Sequence, residues 1–285
     1  MTSIAFIGAG RLGSALARAL ARRGVDVTAV ASRGRASADA LAVTLPGCQS
    51  LPIDEAARAE LVFLTVPDDD IGPLAARIAW SAGQQVVHCS GATDIAVLEP
   101  AARAGALVGG FHPLQIFSDP VRAVDLIAGS TVTIEAGAPV LEARLRELAD
   151  VLDMRVLRLP AGARALYHGG ASFAASLLLS MLREALQAWG AIGIAEEDAL
   201  QALLPLAHGT LAAAAQKGLA GALSGPVSRG DMGVVQRHLR AMEALGPSHV
   251  ALYRQLSVGQ VELARESGRL NHERLAAMQR LIDGG

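Results

Sequence analysis

The sequence predicts an α/β protein: a doubly wound, mostly parallel sheet in the N-terminal half, followed by an all-α C-terminal half. Two observations predict this fold class. Short apolar runs alternate with helix-like segments as far as residue 159, which is typical of a parallel sheet with helical crossovers. From residue 161 onward the strand-like runs stop and long helical periodicity takes over. We therefore expect two domains, residues 1–159 and 160–285.

Composition restricts the class of protein. Of the 285 residues, 52% are hydrophobic and only 3% are aromatic, so the chain can bury a large aliphatic core and is not disordered. The net charge of −2 gives no electrostatic basis for binding nucleic acid or an anionic membrane. Cys48 and Cys89 form no disulfide-like or C-x-x-C pattern, which favours a reducing cytoplasm.

The apolar segments do not indicate a leader or an anchor. The N-terminal run lacks a basic region before it, and Arg11 and Arg18 interrupt it soon afterwards, so we interpret it as a strand and a helix. The longest apolar run, residues 171–182, is shorter than a typical membrane-spanning helix. The sequence thus predicts a cytoplasmic, soluble protein.

The first turn has the pattern G-x-G-x-x-G, between a strand-like run at residues 4–7 and a helix-like run at residues 12–23. Gly8 permits a tight turn, Gly10 lets the backbone approach a pyrophosphate, and Gly13 allows close packing of helix on strand. The alternative is a glycine-rich turn in another α/β fold. We predict a dinucleotide site formed by the turn residues Gly8, Ala9, Gly10, Arg11, Leu12 and Gly13.

The end of the second strand, predicted at residues 25–30, indicates which cofactor binds. A site for NAD needs an acidic residue there for the ribose 2′-hydroxyl, but this chain has Ser32 and Arg33. A hydroxyl and a guanidinium suit a 2′-phosphate, so the sequence predicts NADP. Alternatively, Arg33 and Arg35 are solvated loop charges.

The next buried strand, residues 61–67, ends beside the expected cofactor, so we expect backbone of Val66 and Pro67 to contact it. Three carboxylates follow at residues 68–70, and we interpret them as the start of a helix, not as acid/base groups.

Two further strand ends carry candidate catalytic residues. Ser90 follows the predicted strand at residues 85–88, and His112 follows residues 106–110. Both are expected at the carboxyl edge of the sheet, where ligands bind in this architecture. Ser90 is open to a second interpretation as a turn residue or N-cap, and His112 to one as a structural histidine. Later strands are predicted at residues 131–134 and 154–159, with a helix at 140–152.

The second half reads as a helical bundle. Residues 163–189 are apolar on several faces, so we expect this stretch to be buried in a bundle core or a homodimer interface. Further helices are expected at residues 196–217, 229–245, 248–266 and 271–282. His168 and His208 lie in apolar helical surroundings, which favours core histidines over catalytic ones. No metal-ligand spacing occurs, so no metal site is predicted.

One loop, residues 223–231, stands out by its Gly-Pro and Arg-Gly-Asp sequence. We expect Ser228 to cap the next helix. Arg229, with Ser224 nearby, is a candidate for binding a substrate carboxylate. The alternative is an internal pairing of Arg229 with Asp231 that shapes the loop.

Together these motifs resemble a group of bacterial Rossmann-like proteins with a helical C-terminal domain of originally unassigned function. The group is similar to F420-dependent NADP oxidoreductases, pyrroline-5-carboxylate reductases and prephenate dehydrogenases, and some members act as ketopantoate reductases. The motifs that carry the resemblance are residues 8–13, 88–92, 110–115, 167–168 and 223–231. The chain departs from the group at Ser176 and at residues 212–215, where relatives often carry Asn.

The resemblance implies an NADP-dependent oxidoreductase that transfers a hydride between NADPH and a small carbonyl, such as a ketopantoate-like 2-oxo acid, or an imine in a cleft between the domains. Candidate proton donors are His112 and His168, with Ser90 as an orienting hydroxyl. The alternative hypothesis is a non-catalytic NADP-binding sensor of the same fold.

Overall fold

The computed structural model describes residues 3–284 and divides the chain into two compact units, Met1–Ala175 and Ser176–Gly285. The first unit is built on one sheet. Its strands are β1 Ile4–Ile7, β2 Val27–Ala31, β3 Gln49–Ser50, β4 Leu61–Leu64, β5 Gln85–His88, β6 Leu107–Leu114, β7 Thr131–Ala136 and β8 Arg155–Leu157.

The helices of the first unit connect these strands. They are α1 Arg11–Arg22, α2 Arg35–Ala42, α3 Ile53–Ala56, α4 Asp68–Arg77, α5 Glu99–Arg103, α6 Ala123–Ile127, α7 Pro139–Val151 and α8 Arg164–Ala174. A 3₁₀ turn, Ile95–Leu98, precedes α5.

The strand order is β3-β2-β1-β4-β5-β6-β7-β8, and all neighbouring pairs are parallel except the antiparallel pair β6–β7. The order reverses between β1 and β4, so loops diverge there and leave a crevice at the carboxyl edge. The predicted fold class, a doubly wound and mostly parallel sheet followed by helices, is confirmed.

Both faces of the sheet are buried, as β1 shows. Ile4 and Phe6 belong to one hydrophobic core, while Ala5 and Ile7 belong to the other. This alternation follows from the two-residue period of a strand. On the first face the rings of Phe6 and Phe63 stack at 4.9 Å, so two of the few aromatic residues pack at the centre of the sheet.

The second unit is all helical. Its helices are α9 Ser176–Gly190, α10 Glu196–Ala222, α11 Pro226–Arg229, α12 Met232–Leu245, α13 Pro247–Glu266 and α14 His272–Asp283. Its core comes from the last four helices and includes Val235, Val261 and Met278. Asn271 caps α14 by accepting a hydrogen bond from the backbone N–H of Arg274.

Several sequence-based expectations for the helical half are wrong. The stretch 163–189 does not form a bundle core: the backbone breaks at Ala175 (φ −123°, ψ −96°), and α9, all of which is described, contributes no buried residue. The alternative expectation, burial in a homodimer interface, stays a prediction. The helix expected from residue 229 begins at Met232, because Gly230 takes a left-handed conformation. The structure also extends α10 beyond residue 217, across a kink at Gly218.

By length and composition alone, the helical stretch Arg164–Gly190 could cross a membrane. The break at Ala175 divides it into helices of 11 and 15 residues, each shorter than the roughly 20 residues that a span requires. The same break marks the boundary between the units, which lies beyond the boundary expected at residues 159–160 because α8 joins the first unit.

Candidate active site

The glycine-rich turn after β1 is packed against the loop after β4. Gly8 has φ +119°, and a Cβ there would lie 2.4 Å from the carbonyl oxygen of Thr65. A Cβ on Gly13 would lie 2.3 Å from the carbonyl oxygen of Gly8. Around Gly10, by contrast, a Cβ would meet no heavy atom of the described chain within 4 Å. Gly8 and Gly13 are therefore required by the fold, whereas Gly10 leaves open space at the start of α1.

A cavity of about 770 Å³ opens at this turn, between β1 and β4. It contains most of the predicted cofactor-binding residues. The lining residues are Ile7, Gly8, Ala9, Gly10, Ser32, Arg33, Gly34, Ile53, Asp54, Thr65, Val66, Pro67, Asp70, Pro73, Leu74 and Arg77. Arg11, Leu12 and Gly13 are not among them, because they already belong to α1 and Gly13 packs against Thr65.

Arg33 is one of two arginines that line the cavity; its side chain is 91% exposed and lies 4.0 Å from the carboxylate of Asp70. Such an exposed pair contributes little to stability, so the guanidinium can turn toward an anion. Ser32 lies beside it at the end of β2. This end of the cavity therefore presents a hydroxyl and a guanidinium, as expected from the sequence.

Arg77 is a cavity residue that the sequence analysis missed. It lies on α4 with Asp70, Pro73 and Leu74, which also line the cavity. Their spacing of i, i+3, i+4 and i+7 places them on one face of the helix. That spacing, counted from the end of β4, is the signal that could have identified Arg77.

A second cluster lies at the ends of β5 and β6. The Ser90 hydroxyl donates to the carboxylate of Asp68 at 2.7 Å and accepts hydrogen bonds from the backbone N–H groups of Ala92 and Thr93. These three bonds use its single proton and both lone pairs. The geometry therefore supports the turn-residue interpretation of Ser90. Asp68, interpreted from the sequence as part of a helix start, is its partner.

His112 lies within β6, two residues before its end, because the strand extends beyond the expected residue 110. Three groups surround its ring. Its Nδ1 lies 3.2 Å from the hydroxyl of Tyr167, and its ring lies 6.0 Å from that of His168, centroid to centroid. Gly91 packs against both histidines: a Cβ there would lie 2.7 Å from His112 Nε2 and 2.6 Å from His168 Cδ2. The structure thus brings the predicted His112 and His168 together and adds Tyr167.

Burial determines the charge state of this cluster. Desolvation, together with the neighbouring His168 and Arg164, lowers the pKa of His112 to about 4, so its ring is neutral at neutral pH. Desolvation also raises the pKa of the Tyr167 hydroxyl, which keeps its proton. The cluster therefore contains a neutral imidazole next to a neutral phenol.

His168 and His208 are both exposed in the structure. Their interpretation as core histidines is therefore wrong.

The loop after α10 shows the internal pairing weighed from the sequence. Nε of Arg229 donates to Asp231 at 2.9 Å, and both side chains are partly exposed. Ser224 is exposed as well. The capping role expected for Ser228 is wrong: its hydroxyl donates to the carbonyl of Gly225, within α11, and the side chain is buried.

Comparisons with known proteins agree with this architecture. Residues 1–113 match a Rossmann-like domain, and residues 130–259 match DUF2520, a domain of unknown function. Among curated proteins, none matches the chain significantly.

Solved structures match over nearly the whole chain. A candidate NADP oxidoreductase from Bacteroides fragilis is 29% identical, with 91% of this chain and 97% of that chain covered and a TM-score of 0.71. An imine reductase from Pseudomonas sp. is 20% identical, with 99% of each chain covered and a TM-score of 0.64. A reductive aminase from Aspergillus terreus, in complex with NADPH and ethyl-5-oxohexanoate, is 16% identical, with 99% and 93% covered and a TM-score of 0.62. The last two show a shared fold.

Proposed function

We propose that this chain, which combines a Rossmann-like domain with a DUF2520 domain, is an NADPH-dependent reductase of a small carbonyl compound, such as a 2-oxo acid, or of an imine. The observation that carries the proposal is the cavity at the glycine turn. It joins open space at Gly10 to a hydroxyl and two guanidinium groups at Ser32, Arg33 and Arg77. The match to a candidate NADP oxidoreductase at 29% identity supports the same cofactor.

The residues present fit this cofactor. The pyrophosphate would lie at the start of α1, where Gly10 leaves room and the first backbone N–H groups of the helix are unpaired. Ser32 and Arg33 would hold the 2′-phosphate, and Arg77 adds a second positive charge to the same cavity. Backbone at Val66 and Pro67 would bound the opposite wall.

When bound, NADPH supplies a hydride, and the protein must supply a proton to the reduced oxygen or nitrogen. In our proposal Tyr167 gives this proton. Neutral His112 lies at hydrogen-bond distance from the phenol oxygen, so its Nδ1–H can stabilise the phenolate that forms. His168 is exposed beside this pair, so solvent reaches the cluster from its side.

The other candidate residues take supporting roles in the proposal. Ser90 acts through its turn and through Asp68, because its hydroxyl has no capacity left for a substrate. Arg229 uses Nε for Asp231, so the fork of its terminal nitrogens is available for a substrate carboxylate. Ser224 would assist it as a hydroxyl donor from the same loop.

The first test measures binding of NADPH and NADH to the purified protein and to Arg33→Ala. We expect the wild-type protein to bind NADPH more tightly than NADH. Arg33→Ala should weaken NADPH binding about tenfold or more and leave NADH binding unchanged, because a charge-assisted hydrogen bond contributes about 1.5–3 kcal/mol. Arg35→Ala is the control, because Arg35 pairs with Asp39 and does not line the cavity. Equal or absent binding of the two cofactors would overturn the proposal.

The second test measures NADPH oxidation against a panel of 2-oxo acids and imines. Turnover with one class identifies the substrate and supports a reductase. Tight NADPH binding without turnover across both classes would favour the alternative, a non-catalytic NADP-binding sensor.

We also propose that the chain forms a homodimer through the helices α9 and α10. Several of their apolar side chains are exposed in the single chain; Leu179 is 67% exposed and Leu206 66%. Large exposed apolar side chains grouped on two neighbouring helices are typical of an interaction surface. A second copy fits it because an isologous interface needs only one such surface.

A further inference from the structure

Arg164, the first residue of α8, is a buried cation that the proposed reaction does not use directly. Its side chain is only 3% exposed. Its Nε donates to the carboxylate of Glu135 at 2.6 Å, and its Nη1 donates to the carbonyl of Ser90 at 2.9 Å. One side chain therefore connects α8 to β7 and to the loop after β5.

The sheet has a place built for this guanidinium. His88 pairs with Gly110 across β5–β6, and Gly110 pairs with Glu135 across β6–β7, so the three residues form one row on one face of the sheet. A Cβ on Gly110 would lie 2.3 Å from Nη2 of Arg164. The guanidinium thus lies over the one position in the row that has no side chain.

The two ends of the row differ in charge. Glu135 carries the carboxylate that pairs with Arg164. His88 is fully buried, and desolvation together with Arg164 lowers its pKa to about 4, so it stays neutral. Its Nδ1 accepts a hydrogen bond from the backbone N–H of Ser90. The orientation of Arg164 is therefore fixed by one carboxylate and one carbonyl.

We infer that Arg164 is a positioning residue for the proton donor. Tyr167 and His168 follow Arg164 by three and four residues, so they lie on the adjacent turn of α8. These are the two side chains that face His112. By holding the start of α8 over Gly110, Arg164 sets the distance between the Tyr167 hydroxyl and His112. This inference rests on the proposed reductase function.

Gly110→Ala tests the inference without changing any charge. The added methyl group displaces the guanidinium of Arg164 from its place over Gly110. We expect a folded protein with a lower melting temperature, because the buried pair with Glu135 is disturbed. We expect kcat to fall about tenfold or more while KM and the NADPH dissociation constant stay within twofold, because a misplaced donor affects the chemical step. Arg164→Lys keeps the positive charge but loses the planar guanidinium that donates to two partners at once. We expect it, too, to lower kcat while KM and the NADPH dissociation constant stay nearly unchanged.

The control is Arg158→Lys, which changes an exposed ion pair with Glu142 in the same unit. It is expected to leave kcat, KM and NADPH binding unchanged. If Gly110→Ala and Arg164→Lys are folded and retain wild-type kcat, the inference is wrong.

A readout independent of turnover separates this inference from the proposed function. The ring signals of His112 in an NMR spectrum of histidine-labelled protein, assigned with His112→Gln, are expected to shift in Gly110→Ala and in Arg164→Lys but not in Arg158→Lys. A wild-type protein without turnover would overturn the reductase proposal. Unshifted His112 signals in both variants would overturn the positioning role, whether or not the protein turns over.

Discussion

The hydroxyl of Tyr167 lies 3.2 Å from Nδ1 of His112, with the two rings at 89° to one another. The same arrangement occurs in the helical unit, where the hydroxyl of Tyr253 lies 2.8 Å from Nδ1 of His238 and the rings again meet at 89°. The chain has only these two tyrosines. One pair lies at the carboxyl edge of the sheet and the other within the bundle, so each provides a control for the other.

Tyr167→Phe is expected to lower kcat by about 100-fold, because general acid catalysis contributes roughly 10²–10⁴-fold. The NADPH dissociation constant is expected to stay within twofold, since Tyr167 does not line the cavity at the glycine turn. Steady-state kinetics and a binding titration measure the two effects. Tyr253→Phe should leave both unchanged; equal losses in the two variants would mean that Tyr167 acts on stability.

Gly10→Ala separates the cofactor site from the fold. The added methyl group meets no atom of the described chain within 4 Å, so the melting temperature should stay unchanged. It would occupy the space proposed for the pyrophosphate, so we expect NADPH binding to weaken at least about tenfold. Gly209→Ala is the control: Gly209 lies in the middle of α10 with free space around it, so the change should leave NADPH binding intact. Normal NADPH affinity in Gly10→Ala would place the cofactor elsewhere.

Arg77→Ala tests the residue that only the structure revealed. If Arg77 contributes to the charge that attracts the 2′-phosphate, its removal should weaken the binding of NADPH by about threefold to tenfold and the binding of NADH by less. Competition titrations with the two cofactors measure the ratio. Equal weakening of NADH would show that Arg77 contacts a part common to both cofactors.

Leu179→Glu tests the proposed homodimer. A carboxylate on the exposed apolar face of α9 should be costly to bury in a dimer, so the variant is expected to be monomeric at concentrations where the wild type is a dimer. Light scattering after size-exclusion chromatography reports the mass. Val43→Glu, an exposed apolar position in the first unit, is the control. A monomeric wild-type protein would contradict the dimer.

The buried His88 predicts an acid-sensitive fold. Its pKa is about 4 in the folded protein and near 6.5 when unfolded, so between these values the unfolded state binds more protons. Stability should therefore fall as the pH drops from 6.5 toward 4, by up to about 3 kcal/mol from this residue. Urea unfolding across this range measures the loss.

His88→Asn gives the comparison for that prediction. The Asn side chain can accept the same hydrogen bond from the N–H of Ser90 but does not titrate. We expect lower stability at neutral pH, because the side chain is smaller, together with a shallower pH dependence. The control His272→Asn, at an exposed position, should keep the wild-type dependence of the unfolding free energy on pH. If His88→Asn also kept it, the loss of stability in acid would not come from His88.

The sequence by itself determined the sheet and its first turn. Residues 4–13 combine a strand, three glycines at fixed spacing and a helix start, and each of these signals is local. The fold class, the glycine turn and the cavity residues that belong to that turn were predictable for this reason. The end of β2 likewise placed Ser32 and Arg33 at the cavity, because parallel strands bring their carboxyl ends to one edge.

Only the tertiary structure decided which side chains meet. Tyr167 lies 55 residues from His112 and Arg164 lies 74 residues from Ser90, so no local pattern links them. The helical half misled the sequence analysis for a related reason. Apolar periodicity shows that α9 needs a partner surface, but not whether that surface belongs to the same chain, and within this chain no residue of α9 is fully buried. Burial is a property of the packed chain and its partners, whereas a turn is a property of a few neighbouring residues.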